Sequence, residues 1–130
     1  MVERVEPPQV EKLAGTHLLV VEDELILLLE LESVLCDAGA DKVLLSRSTG
    51  DALTRLRDEK VSAAILDIRL GGEVVTPVAR VLAERGVPFL FYTGQPLTDP
   101  ALGEWRHRRV LTKPARPETI VKAVAELIAA

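Results

Sequence analysis

The sequence predicts one doubly wound α/β domain, a parallel sheet with helices on both faces. Short apolar runs recur along the chain, each closed by turn or acidic residues, as suits strands buried on both faces of a parallel sheet. Segments with helical spacing alternate with those runs, strand then helix, five times over, which implies right-handed crossovers. The 130 residues, 48% hydrophobic and 28% charged, suit a single globular domain with a real core.

Composition also narrows the function classes. A formal charge of −4 gives no general reason to expect a nucleic-acid partner. One cysteine, Cys36, excludes an internal disulfide and suits a reducing, cytoplasmic location. The unbroken apolar run of the first helical segment, Leu25 to Leu29, is too short to cross a bilayer. No basic-then-apolar leader opens the chain, so neither secretion nor a membrane partner is expected.

Residues 1–15 are polar, carry Pro7-Pro8 and read as a tail or loosely docked lead-in; the domain is expected over 16–130. His17 to Val21 reads as a strand that ends in Glu22-Asp23-Glu24. Glu24 to Ala38 has helical spacing, with Gly39 as the C-terminal cap. Leu27, Leu28, Leu31, Val34, Leu35 and Ala38 share the face that should cover the sheet, while Leu25, Ile26 and Leu29 fall off it. Lys42 to Leu45 is a short strand, and Ser48-x-x-Asp51 resembles a capping box opening a helix to about Asp58. The central strand lies within Val61 to Gly72: Ala63 to Leu66 is apolar, Asp67 follows, and Gly71-Gly72 closes a loop. Val74, Val75, Val78, Val81 and Leu82 have helical spacing, with Thr76 as cap, Pro77 as first helical residue and Gly86 as the stop. Val87 to Tyr92 is the fourth strand, ending in Thr93-Gly94. Gln95 to Arg106, with Pro96, Pro100 and Gly103, is a poor helix and should be the loosest region. Val110 to Thr112 is a short fifth strand ending in Lys113-Pro114, and Pro117 opens a last helix with the stripe Ile120, Val121, Val124, Leu127 and Ile128.

In an open α/β sheet, ligands bind beyond the carboxyl ends of the strands. Here those ends carry Glu22-Asp23, Asp67, Thr93 and Lys113. Each has an ordinary alternative: acids favour the first turn of a following helix, and an Asp often caps a turn. Together at one edge they fit phosphoryl transfer to a carboxylate, with Asp67 as nucleophile. Clustered carboxylates call for a hard cation such as Mg²⁺, bound by Asp23, Asp67 and the backbone carbonyl of Arg69, with Glu22 acting through water. Lys113 would hold a phosphoryl oxygen as a point charge, and Thr93 would donate its hydroxyl to the arriving group.

From about Thr16 to its end the chain resembles the receiver domain of two-component response regulators. The resemblance rests on Val20-Val21-Glu22-Asp23-Glu24, Leu66-Asp67-Ile68-Arg69-Leu70, Tyr92-Thr93-Gly94 and Lys113-Pro114, in the family's order and spacing. It implies a CheY-like, flavodoxin-like fold with strand order 2-1-3-4-5, phosphorylation of Asp67 by a phosphohistidine with Mg²⁺, and a cis Lys113-Pro114 peptide. Pro88-Phe89-x-Phe91-x-Thr93-Gly94 is similar in part to the subgroup nicknamed FAT GUY, mostly single-domain bacterial regulators; Tyr92 replaces the usual Ala, and Gln95-Pro96 departs from the pattern. Val110 stands where most receivers carry a switching aromatic residue, and Ala115 replaces a frequent Phe. The signal is therefore expected to travel as a backbone rearrangement of Thr93 to Arg106.

The expected function is a stand-alone receiver, not an enzyme. Its partners would be a sensor histidine kinase or phosphotransfer protein and an unidentified downstream target protein. Two alternatives stay open: a pseudo-receiver indifferent to phosphate, or a receiver fragment of a longer regulator or hybrid kinase. A hydrolase with an Asp nucleophile wants a second acid two positions on, where Arg69 stands. Ile26 and Leu29 leave room for a weak homodimer. His17 and His107 lack ligand spacing, and Arg106-His107-Arg108-Arg109 reads as a solvated edge.

Overall fold

The computed structural model describes residues 12–130. Its main sheet has five strands: β1 (His17–Val21), β2 (Lys42–Ser46), β3 (Ala63–Leu66), β6 (Phe89–Thr93) and β7 (Val110–Thr112). They lie in the order β2-β1-β3-β6-β7, and all neighbouring pairs are parallel. Counting only these strands, that is the expected order 2-1-3-4-5. A separate antiparallel hairpin, β4 (Arg69–Leu70) with β5 (Glu73–Val74), folds the loop after β3.

Helices α1 (Leu25–Asp37), α2 (Thr49–Asp58), α3 (Thr76–Glu84) and α4 (Pro117–Ala129) supply the covering layers. The apolar strand runs alternate between them, because successive strand residues face opposite sides. Leu18 and Val20, Ala63 and Ile65, and Leu90 and Tyr92 pack with α1 and α4. Leu19 and Val21, Ala64 and Leu66, and Phe89 and Phe91 pack with α2 and α3.

The local sequence explains most element ends. The Ser48 hydroxyl accepts from the Asp51 N–H at 3.1 Å and starts α2. Gly39, at φ 96, follows the last turn of α1 in a conformation that a Cβ would penalise. On α1, Leu28, Leu31, Leu35 and Ala38 are buried, with Leu27 and Val34 partly so. Three details differ from expectation. Val75 caps α3 and Thr76 is already helical. Val74 belongs to the hairpin, since its strand partner Arg69 claims it. The fourth crossover carries a 3-10 segment, Pro100–Trp105, interrupted at Gly103.

That crossover is nevertheless anchored. Leu102 and Trp105 are buried, and the Trp105 ring meets Phe89 edge-on at 5.7 Å. The Arg108 guanidinium stacks over Phe89 at 4.2 Å, so one member of the basic run is partly buried rather than solvated. At the start of the described residues, Leu13 is fully buried in the α1/α4 layer and Ala14 bridges Ala40. Residues 1–11, most of the expected tail, lie outside the described residues. No described helix is long and apolar enough to cross a membrane.

Candidate functional site

Strand geometry brings the charged residues to one edge. The Asp67 N–H donates to the Val21 carbonyl at 3.0 Å, and the Glu22 N–H to the Ser46 carbonyl at 3.0 Å. Both acids are thus held by main-chain bonds just past the ends of β3 and β1. Glu22, Asp23 and Asp67 each offer an oxygen, and these atoms lie within 4.8 Å of one another. Lys113, just past β7, crosses to them: its Nζ is 2.8 Å from Asp67 Oδ2 and 2.9 Å from Glu22 Oε2. The Lys113 N–H also donates to the Thr93 carbonyl at 2.9 Å.

Thr93, at the end of β6, is fully buried, and its hydroxyl oxygen accepts from the Gln95 N–H at 3.1 Å. The Lys113-Pro114 peptide is cis. Arg69 opens β4 two residues beyond Asp67, and its guanidinium turns away to Asp99.

The electrostatics of the cluster are unbalanced. Burial pushes the Glu22 carboxyl up to about 7, outweighing the hydrogen bonds it accepts from Lys113 and the Glu24 N–H; the Asp67 charge adds to the rise. Burial works against the Lys113 ammonium, but its bonds to Asp67 and Glu22 keep it above the usual lysine value. One ammonium therefore faces three acidic groups. Hard oxygen donors with surplus negative charge are what Mg²⁺ selects, so these residues fit that ion. Gly71, beside Asp23, sits at φ +61, a backbone conformation that favours glycine, while a Cβ there would make only ordinary contact with Asp23 Oδ2 at 3.7 Å.

Several contributors were not singled out from the sequence. The Arg47 guanidinium donates to the Asp23 carbonyl at 2.9 and 3.2 Å. Glu73 accepts from the Thr49 N–H at 3.1 Å and ties the hairpin to α2. The Tyr92 hydroxyl, given no role of its own from the sequence, accepts from the Ala115 N–H at 3.0 Å and braces the turn after Lys113. These are long-range pairings, and no local spacing announces them.

A parallel sheet with this strand order, an acidic cluster on its carboxyl edge and a lysine reaching in from the last strand defines a response regulator receiver domain. The chain belongs to that family. It is 40% identical to SdrG from Sphingomonas melonis Fr1, with 87% of this chain and 96% of that one covered and a TM-score of 0.75. The BeF3-activated conformation of SdrG, from Pseudomonas melonis Fr1, matches at 38% identity over 88% and 98% of the two chains, with a TM-score of 0.73. A response regulator receiver protein from Sinorhizobium medicae WSM419 matches at 29% identity, 88% and 95% coverage and a TM-score of 0.79. No family profile matches the sequence, and no curated protein aligns with it.

Proposed function

We propose that the chain is a receiver that accepts a phosphoryl group on Asp67 from the phosphohistidine of a sensor kinase or phosphotransfer protein. The observation that carries this reading is the convergence of Asp67 with Lys113 at 2.8 Å and with two further carboxylates within 4.8 Å. An Asp67 oxygen attacks phosphorus, the P–N bond of the phosphoimidazole breaks, and its electron pair stays on nitrogen, which takes a proton. Lys113 passes from the carboxylate to a phosphoryl oxygen and holds it by charge. The Thr93 hydroxyl turns from Gln95 to donate to a second oxygen. Mg²⁺ held by Asp23, Asp67 and the Arg69 carbonyl, with Glu22 through water, would neutralise the phosphoryl oxygens.

The protein would then act as a cytoplasmic bacterial signalling acceptor, with no substrate of its own to turn over. Its output would be a phosphorylation-dependent protein contact. The existence of a BeF3-activated conformation of SdrG supports this reading, since beryllofluoride mimics a phosphoryl group on a carboxylate. Incubation with acetyl phosphate and Mg²⁺ should add one phosphoryl group, read by intact mass. Asp67→Asn and chelation of Mg²⁺ should each abolish the gain. Labelling of Asp67→Asn at the wild-type level would overturn the assignment.

A further inference from the structure

Two residues outside the acidic cluster join the metal-binding loop to the crossover between β6 and β7. The Arg69 guanidinium makes a bidentate fork with Asp99, Nε to Oδ2 at 2.8 Å and a terminal nitrogen to Oδ1 at 2.7 Å. Asp99 is itself buried, and its Oδ1 also accepts from the Ala101 N–H at 2.8 Å, which starts the 3-10 segment Pro100–Trp105. The same carboxylate therefore fixes the beginning of that segment and the side chain of Arg69. A planar two-bond fork transmits orientation as well as charge.

We infer that Asp99 is a positioning residue for the metal loop, acting through Arg69, so that binding of a divalent cation and order in Asp99–Trp105 are one coupled event. The inference rests on the receiver reading, in which the Arg69 carbonyl faces the cation. Arg69 has its main chain in the loop beside Asp67 and its side chain on the crossover. If the fork is intact, the loop is held in one placement before the cation arrives. If the crossover loosens, Asp99 releases Arg69 and the loop loses that restraint. Coupling of this kind is reciprocal: whatever the fork adds to cation affinity, the cation must return as order in the crossover.

The test uses Mg²⁺ alone, titrated calorimetrically into the full chain, with amide hydrogen exchange of Ala101–Trp105 read with and without the ion. In the wild type, Mg²⁺ should raise protection of that segment. Asp99→Asn and Arg69→Met should each weaken Mg²⁺ binding by about fivefold, the lower end of typical coupling. The double variant should be no weaker than either single one, since both remove the same fork. Glu104→Gln serves as control: it breaks an exposed pair with Arg80 (2.9 Å) on the same segment and should leave Mg²⁺ affinity unchanged. A wild type that binds Mg²⁺ with unchanged protection of the crossover overturns the coupling and needs no variant to fold. Variants that bind Mg²⁺ as tightly as the wild type overturn it as well. A wild type that binds no Mg²⁺ overturns the receiver reading itself, and the coupling with it.

Discussion

Replacing Asp23 by Asn removes one negative charge from the acidic cluster and keeps the shape of the side chain. Oxygens of Glu22, Asp23 and Asp67 lie within 4.8 Å of one another. At that separation and an effective dielectric of about 20, each like-charge pair costs about 3.5 kcal/mol. Lys113 offsets Glu22 and Asp67 directly, at 2.9 and 2.8 Å. Asp23 is only partly buried, so solvent screens it, and the net gain from neutralising it should be about 1–2 kcal/mol. For a domain of this size that corresponds to a melting temperature higher by about 3–10 °C in metal-free buffer. Mg²⁺ at a hundred times its Kd should stabilise the wild type by about 2.7 kcal/mol, and Asp23→Asn should lose most of that rise. Thermal unfolding in chelator and in Mg²⁺, followed by circular dichroism, measures both numbers. A variant less stable than wild type in chelator, or one with an undiminished response to Mg²⁺, would refute the reasoning.

Burial lifts the Glu22 carboxyl from the ordinary 4.5 to about 7, so the folded chain keeps a proton that the unfolded chain releases; metal-free stability should fall as pH rises from 4.5 towards 7. Glu22→Gln should flatten this slope in urea unfolding, and a wild type with no such slope would count against the buried, unbalanced cluster. Leu35 is fully buried while its neighbour Cys36 is exposed; Leu35→Ala should cost about 2–5 kcal/mol and Cys36→Ala less than about 0.5 kcal/mol, with comparable losses contradicting the phase of α1. Ile26 and Leu29 are 74% and 48% exposed. With beryllofluoride, the sedimentation coefficient of the wild type should rise with concentration and that of the Ile26→Glu, Leu29→Glu double variant should not. A wild type monomeric with and without beryllofluoride would leave no self-contact for this patch.

The strands were legible because each is written locally. Ala63-Ala64-Ile65-Leu66 is apolar without interruption since both its faces meet helices, and a parallel sheet leaves no wet side to require alternation. The cluster was legible for the same reason. Once five strands run parallel, the residues after them must share an edge, so Glu22, Asp23, Asp67 and Lys113 could be grouped before any distance was known. The phase of α1 followed from helical periodicity, and the exposure of Ile26 and Leu29 is as the spacing required.

The hairpin of Arg69–Leu70 with Glu73–Val74 was not legible. Val74 fits helical spacing as well as a strand, and only pairing with Arg69 decides between them. The burial of Leu13 needs the Ala38 carbonyl, 25 positions on, to receive its N–H at 2.9 Å. Asp99 reads as one more polar residue in a proline-rich loop, yet it grips Arg69, 30 positions earlier in the chain. The sequence by itself determined the order of the strands' chemistry, because hydrophobic burial is encoded residue by residue along each element. Tertiary structure alone decided which side chains brace that chemistry, because a hydrogen bond between distant segments depends on placements to within a few tenths of an ångström, and no local pattern carries that information.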